Sequence, residues 1–235
     1  MTFPRFAMAC LASLFLPACG KSQPAPADAP PSVTSEEVRL SDLGQGGPKL
    51  TKGKVYRVVG RVRNIQADPD GSPSITFTGL NLKFAKGRDM ATVKQMKPGD
   101  FIEADCTWVG VTTGIFPEMT GCTNPAFPQT LSAQDYEAAY AENVFSADDA
   151  LKDRPLVIFG PVRRVAKLTS GEDFVAIEAQ PGFSDVTAIV APSNRSLIRG
   201  YAKPGELTVM YCRGGYRYNQ MGSIGVNGCR FLQNY

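Results

Sequence analysis

Gly60-Arg61-Val62-Arg63-Asn64-Ile65 follows the apolar run Val55 to Val59, and the same figure returns as Leu156 to Phe159 followed by Gly160-Pro161-Val162-Arg163-Arg164-Val165. A short β-branched run interrupted by glycine is what a strand shows where a barrel bends sharply. The repetition continues downstream. Lys97-Pro98-Gly99-Asp100 is answered by Lys203-Pro204-Gly205-Glu206, Cys106 by Cys212, and Gly121-Cys122 by Gly228-Cys229. Four landmarks in one order, offset by 100 to 107 residues, mark an internal duplication.

Each copy reads as five strands with a short helix between the third and fourth. In the first, Lys54 to Ile65 is a strand, Asp68-Pro69-Asp70-Gly71 a turn, and Ser74 to Thr78 and Leu80 to Ala85 are alternating half-buried strands. Met90 to Met96 is helical. Asp100 to Val109 is a long strand with Ile102, Ala104, Cys106 and Trp108 on one face, and Phe116 to Thr123 closes the set. The second copy repeats this with Leu156 to Val165, Phe174 to Ala179, Val186 to Val190, a helix near Asn194 to Tyr201, Glu206 to Arg213, and Gly225 to Leu232. Before it, Ser132 to Lys152 reads as a helix, with Ser132 and Asp135 as a capping pair and Tyr136, Ala139, Tyr140 and Asn143 at helical spacing. Its charge is mostly negative, and its place suits an element that covers an open end or edge of the second barrel.

The amino terminus carries a different message. Arg5 precedes an uncharged run from Phe6 to Pro17 that ends in Leu16-Pro17-Ala18-Cys19-Gly20. At about a dozen residues the run is too short for a membrane-spanning helix, which needs ~20, and has the layout of a secretory signal. Its end resembles the lipobox of bacterial lipoproteins, although Pro17 is an unusual occupant of its place and an ordinary signal with a chance cysteine is the alternative. The resemblance implies removal of residues 1–18 and acylation of Cys19. Residues 19–35 are then a Pro- and Ala-rich tether that buries too little to order itself. Gly20 in place of Asp implies, by the sorting rule of such lipoproteins, the outer membrane with the body facing the periplasm. Cys10, inside the apolar run, has no role.

In an oxidising compartment the two cysteines of each copy pair most naturally with each other, Cys106 with Cys122 and Cys212 with Cys229. A metal site is the rival reading of four cysteines. No CxxC pair and no histidine speaks for it.

These residues resemble the tRNA-anti-like family of OB-fold proteins. The second copy carries the pattern in Tyr140, Asn143, Ala147, Gly160, Val162, Gly205, Cys212 and Cys229, and the first from Val55 to Cys122, with its leading helix reduced to Ser35 to Leu43. The resemblance implies a mainly β chain of two tandem five-stranded OB-like barrels, residues 36–129 and 130–235, with a capping helix before the second. The family's name does not establish RNA binding.

The absence of histidine removes the commonest general base and the triads built on it. Asp148 and Asp149 are adjacent but sit where a helix start accepts acidic residues, and no phosphate-binding glycine loop is present. The expectation is a protein without catalytic residues, metal or cofactor. The most ligand-like run is Tyr211-Cys212-Arg213-Gly214-Gly215-Tyr216-Arg217-Tyr218-Asn219-Gln220, in the loop where OB barrels often bind. Its rings and guanidinium groups, from Tyr211, Arg213, Tyr216, Arg217 and Tyr218, can stack on flat or sugar-like groups and pair with anions. Ordinary long hairpins also carry such residues. The chain has 25 basic against 22 acidic side chains, so nucleic acid is not the expected partner, and the inferred periplasmic address argues further against it. The expected function is an envelope lipoprotein that is held on the bilayer by acylated Cys19 and acts as a binding or adaptor module for an envelope protein or cell-wall polymer. A spacer or oligomerising envelope protein without a small ligand is the alternative, and an oligonucleotide- or oligosaccharide-binding protein ranks after it.

Overall fold

The structure, a computed structural model, describes residues 32–34, 50–77, 79–86, 90–111, 117–217 and 224–232. The signal, Cys19, the segment Ser35 to Leu43 and Tyr218 lie outside the described residues. The chain is mainly β, with two sheets that follow each other in sequence.

The first sheet contains β1 (Ser32–Thr34), β2 (Val55–Arg61), β3 (Asn64–Ala67), β4 (Pro73–Phe77), β5 (Leu80–Phe84), β6 (Phe101–Val111) and β7 (Pro117–Ala126), in the order β1-β2-β6-β7-β5-β4-β3. One four-residue helix, α1 (Met90–Val93), lies between β5 and β6, shorter than the Met90 to Met96 expected. What the sequence presents as one strand from Lys54 to Ile65 is two. Val62 and Arg63 leave the ladder because their amides turn elsewhere, Val62 to the Asp100 carbonyl and Arg63 to that of Thr76.

The second unit contains β8 (Gln129–Ser132), α2 (Ala133–Glu142), α3 (Val144–Leu151), β9 (Pro155–Lys167), β10 (Asp173–Gln180), β11 (Ser184–Val190), a 3-10 turn (Pro192–Leu197), α4 (Ile198–Tyr201), β12 (Leu207–Arg217) and β13 (Ile224–Phe231). Its sheet runs β10-β11-β13-β12-β9-β8, and β10 also pairs with β9. Five strands thereby form a closed ring, with a short helix between the third and fourth. That is the strand order of an OB barrel.

The helix expected from Ser132 to Lys152 is likewise two. Asn143 breaks it: its backbone is extended, its amide still bonds to the Ala139 carbonyl, and its side-chain oxygen accepts from Phe145 and Ser146 as the cap of α3. Asp148 and Asp149 consequently lie past the middle of α3 rather than at a helix start. The Ser132 cap on Asp135 is present at 3.0 Å. α2 sends Ala133, Tyr136 and Tyr140 into the core of the ring, where the Tyr136 hydroxyl donates to the Gly225 carbonyl.

Two strands were not legible beforehand. β1 lies parallel on β2, with Val33 opposite Val58, and β8 lies parallel on β9, with Leu131 opposite Ile158. Val58 and Ile158 are equivalent in the repeat, so the duplicated unit begins with a short parallel strand. In the first copy it falls within the stretch that composition assigns to the tether.

Ile102, Ala104, Cys106 and Trp108 all face the first core, and Cys106–Cys122 and Cys212–Cys229 are disulfides. Both bridges form at a bulge. The register between β6 and β7 shifts between Asp105 and Thr107, and that between β12 and β13 between Tyr211 and Arg213. Gly121 and Gly228 sit there with φ of 60° and 59°, a conformation glycine adopts without strain, and each turns the next residue, cysteine, inward. Each bridge contributes about 3 kcal/mol in the chain-entropy account.

The glycines that opened the repeat are required by close approach. A Cβ on Gly60 would lie 2.5 Å from Cδ2 of Phe77, and one on Gly160 2.7 Å from Cγ2 of Ile177. Gly160→Ala is expected to lower stability by about 1–3 kcal/mol through overpacking. Gly200→Ala, with open space around it, is the control. Urea midpoints measure both, and equal midpoints for the two variants would remove this account of the repeat.

Candidate functional site

The two units meet through the same face of each copy. Counted from Gly60 and Gly160, and from Cys106 and Cys212, the outward residues Val59, Phe101, Glu103 and Asp105 correspond to Phe159, Leu207, Val209 and Tyr211. Val59 from β2 packs in one buried cluster with Val157, Val209, Tyr211 and Leu232, flanked by Phe101 and Phe159. Strands β9 and β12 are therefore apolar on both faces because both are covered, one by their own core and one by the other unit.

At the centre is a carboxylate. Glu103 of β6 accepts from the Tyr211 hydroxyl, and its Oε2 lies 2.9 Å from Nη2 of Arg213. Tyr211 is 1% exposed. Its burial, followed by the hydrogen bond to Glu103, pushes the phenol well above its ordinary range, so it remains a neutral donor. One residue pair along β6, Asp105 takes a two-pronged grip from Arg57, at 2.7 and 3.0 Å, and a bond from Asn124 at 3.1 Å. Burial pushes the Asp105 carboxyl up. The Arg57 fork, Asn124 and the charge of Arg213 together outweigh it, and the group lies below the usual carboxylate range.

Of the five residues singled out for ligand binding, Tyr211 and Arg213 are thus engaged with the other unit. Tyr216 and Arg217 continue the backbone of β12, opposite Gly225 and Ile224, while the last pairing of β12 to β9 is Arg213 with Pro155. From Gly214 onward β12 continues past its last described pairing with β9, still beside the part of β13, Ile224 to Val226, that pairs on its other side with β11. The residues that the sequence reading missed are Glu103, Asp105, Arg57 and Val59. A signal for the junction existed in Leu207 to Cys212, which reads apolar on both faces except at Thr208, a pattern of a strand covered twice. Glu103 and Asp105 themselves look like ordinary solvent-facing positions of a half-buried strand.

Among the described residues no three His, Cys, Asp or Glu side chains are grouped to hold a metal, and no helix is long and apolar enough to cross a membrane. No protein-family pattern and no curated protein matches the chain. Among solved structures it is similar to yeast Stn1 and Ten1 at 11% identity and a TM-score of 0.28, over 74% of this chain and 80% of that one. It is also similar to a murine DNA-binding protein bound with double-stranded DNA, at 10% identity and 0.26 over 79% and 97%, and to the single-stranded DNA-binding protein of Thermus aquaticus, at 10% and 0.23 over 79% and 95%. At superpositions this loose no ligand transfers.

Glu103→Ala leaves the Tyr211 hydroxyl buried without its acceptor and is expected to cost about 1–3 kcal/mol. Combined with Arg213→Ala in a double-mutant cycle, it should show a coupling of at least ~0.5 kcal/mol, and strict additivity in denaturation would deny that the two residues act together. Asp105 gives a pH signature. Because its folded-state pKa is depressed, its contribution is full above the unfolded value of about 4 and is lost as pH falls through the folded value. Asp105→Asn should therefore lower stability at neutral pH and flatten the acid limb of a stability profile measured between about pH 2 and 7.

Proposed function

We propose that the chain is a lipid-anchored envelope protein whose two tandem OB-like barrels form one rigid, non-catalytic binding body, with the run that ends β12 as its contact surface. The observation that carries this reading is the junction. Tyr211 and Arg213 bind Glu103 of the other unit, and the same tyrosine- and arginine-rich run continues in sequence as Tyr216, Arg217 and Tyr218. One half of the run joins the two units, and the other half begins where the pairing of β12 with β9 ends. Aromatic rings and guanidinium groups in one run suit stacking against sugars and pairing with anionic groups, the chemistry of a cell-wall polymer or of an envelope protein's acidic surface.

The lipobox-like Leu16 to Gly20 supports the anchor, with several acyl chains at ~0.8 kcal/mol per buried methylene holding the body on a bilayer, at the outer membrane and facing the periplasm. Two disulfides, Cys106–Cys122 and Cys212–Cys229, suit an oxidising compartment. A second reading, a spacer with no small ligand, is favoured by the use of Tyr211 and Arg213 within the chain itself.

The test replaces Tyr216, Arg217 and Tyr218 together by Ala and measures co-sedimentation with purified cell-wall sacculi and cross-linking to envelope proteins in the native host. Loss of both in the variant, with unchanged thermal unfolding, is the expected result. Equal behaviour of variant and parent would establish the spacer. Binding of a single-stranded oligonucleotide in preference to either envelope probe would replace both readings.

A further inference from the structure

The face that joins the two units is only partly used in the second copy. Phe101 in the first copy packs at the junction, but its counterpart Leu207 is 59% exposed. Leu207 instead lines a groove of about 280 Å³ with Phe159, Pro161, Ala179 and Pro181. Phe159 belongs to both places: it packs against the junction cluster and forms a wall of the groove. The groove is therefore the unfilled continuation of an interface already formed elsewhere. Beside it, two residues beyond Pro181 in the turn from β10 to β11, Phe183 is 88% exposed. Its amide is fixed on the Gln180 carbonyl at 3.0 Å, so the ring is carried by an ordered turn.

We propose that a second copy of this chain covers the groove, the Leu207 faces of two molecules meeting about a two-fold axis with Phe183 of each beside the groove of the other. The junction within one chain supplies the reason: this face, on β2 and β6 in one unit and on β9 and β12 in the other, already packs against its own duplicate. A knob and a groove on the same patch are what a self-complementary contact requires, because each partner then offers both halves. The contact is independent of the anchor and of the run that ends β12, and attachment of many copies to one membrane would raise their local concentration.

The experiment is sedimentation velocity of the chain from Gly20 onward, which keeps every described residue and removes acyl-driven micelles. The expected result is a concentration-dependent monomer–dimer equilibrium that Leu207→Asp and Phe183→Ser each weaken by at least about tenfold. Both residues are exposed, so thermal unfolding of the variants at low concentration should match the parent and separate lost association from lost folding. A parent that stays monomeric at every concentration, or a dimer that survives Leu207→Asp or Phe183→Ser, would overturn the proposal.

Discussion

A carboxylate removed from water between two sheets must find donors, and Glu103 finds both in the other unit. Tyr211 and Arg213 reach it from β12 only when the outer face of β9 and β12 lies on that of β2 and β6. The apolar contacts of Val59, Val157, Val209 and Leu232 supply a nondirectional attraction. The hydrogen bonds supply direction, because a buried carboxylate left without partners costs more than the apolar contacts could offset in a shifted register. The relative placement of the two units follows from that requirement.

The junction also explains why the duplicated copies diverge where they do. Inside each unit the equivalent positions keep their chemistry: Gly60 with Gly160 at the close approach to Phe77 of β4 and Ile177 of β10, and Cys106 with Cys212 opposite Gly-Cys bulges. On the outer face they do not. Glu103 and Asp105 stand opposite Val209 and Tyr211 in the alignment of the copies, one pair charged and one pair largely apolar. Two identical faces would have placed carboxylate against carboxylate. The first copy holds the acceptor Glu103 and the second its donors Tyr211 and Arg213, while Asp105 is held within the first copy by Arg57 and Asn124.

Periodicity made much of the fold legible. Alternation along β6 correctly placed Ile102, Ala104, Cys106 and Trp108 inside, and the repeat located the corresponding strands of the second unit. It failed where structure is set by particular hydrogen bonds or by partners distant in the chain rather than by a repeating pattern. The break after Arg61 depends on the Asp100 and Thr76 carbonyls, the division of the helix at Asn143 on a cap that serves two helices, and β1 on a parallel neighbour more than twenty residues away. A three-residue strand has no period to read. The candidate site was half legible for the same reason: the run from Tyr211 to Tyr218 is chemically conspicuous, but its partner Glu103 is a single carboxylate with no local signature.

By itself the sequence determined the duplication, the β character, the cysteine pairs and the glycines at the bends, because each is written in residues whose local geometry or mutual spacing admits few alternatives. Only the tertiary structure decided what covers the outer side of β12. A strand's two faces are set by its own alternation, but what covers the outer one comes from residues more than a hundred positions earlier, and Tyr211 and Arg213 acquired their role from that encounter.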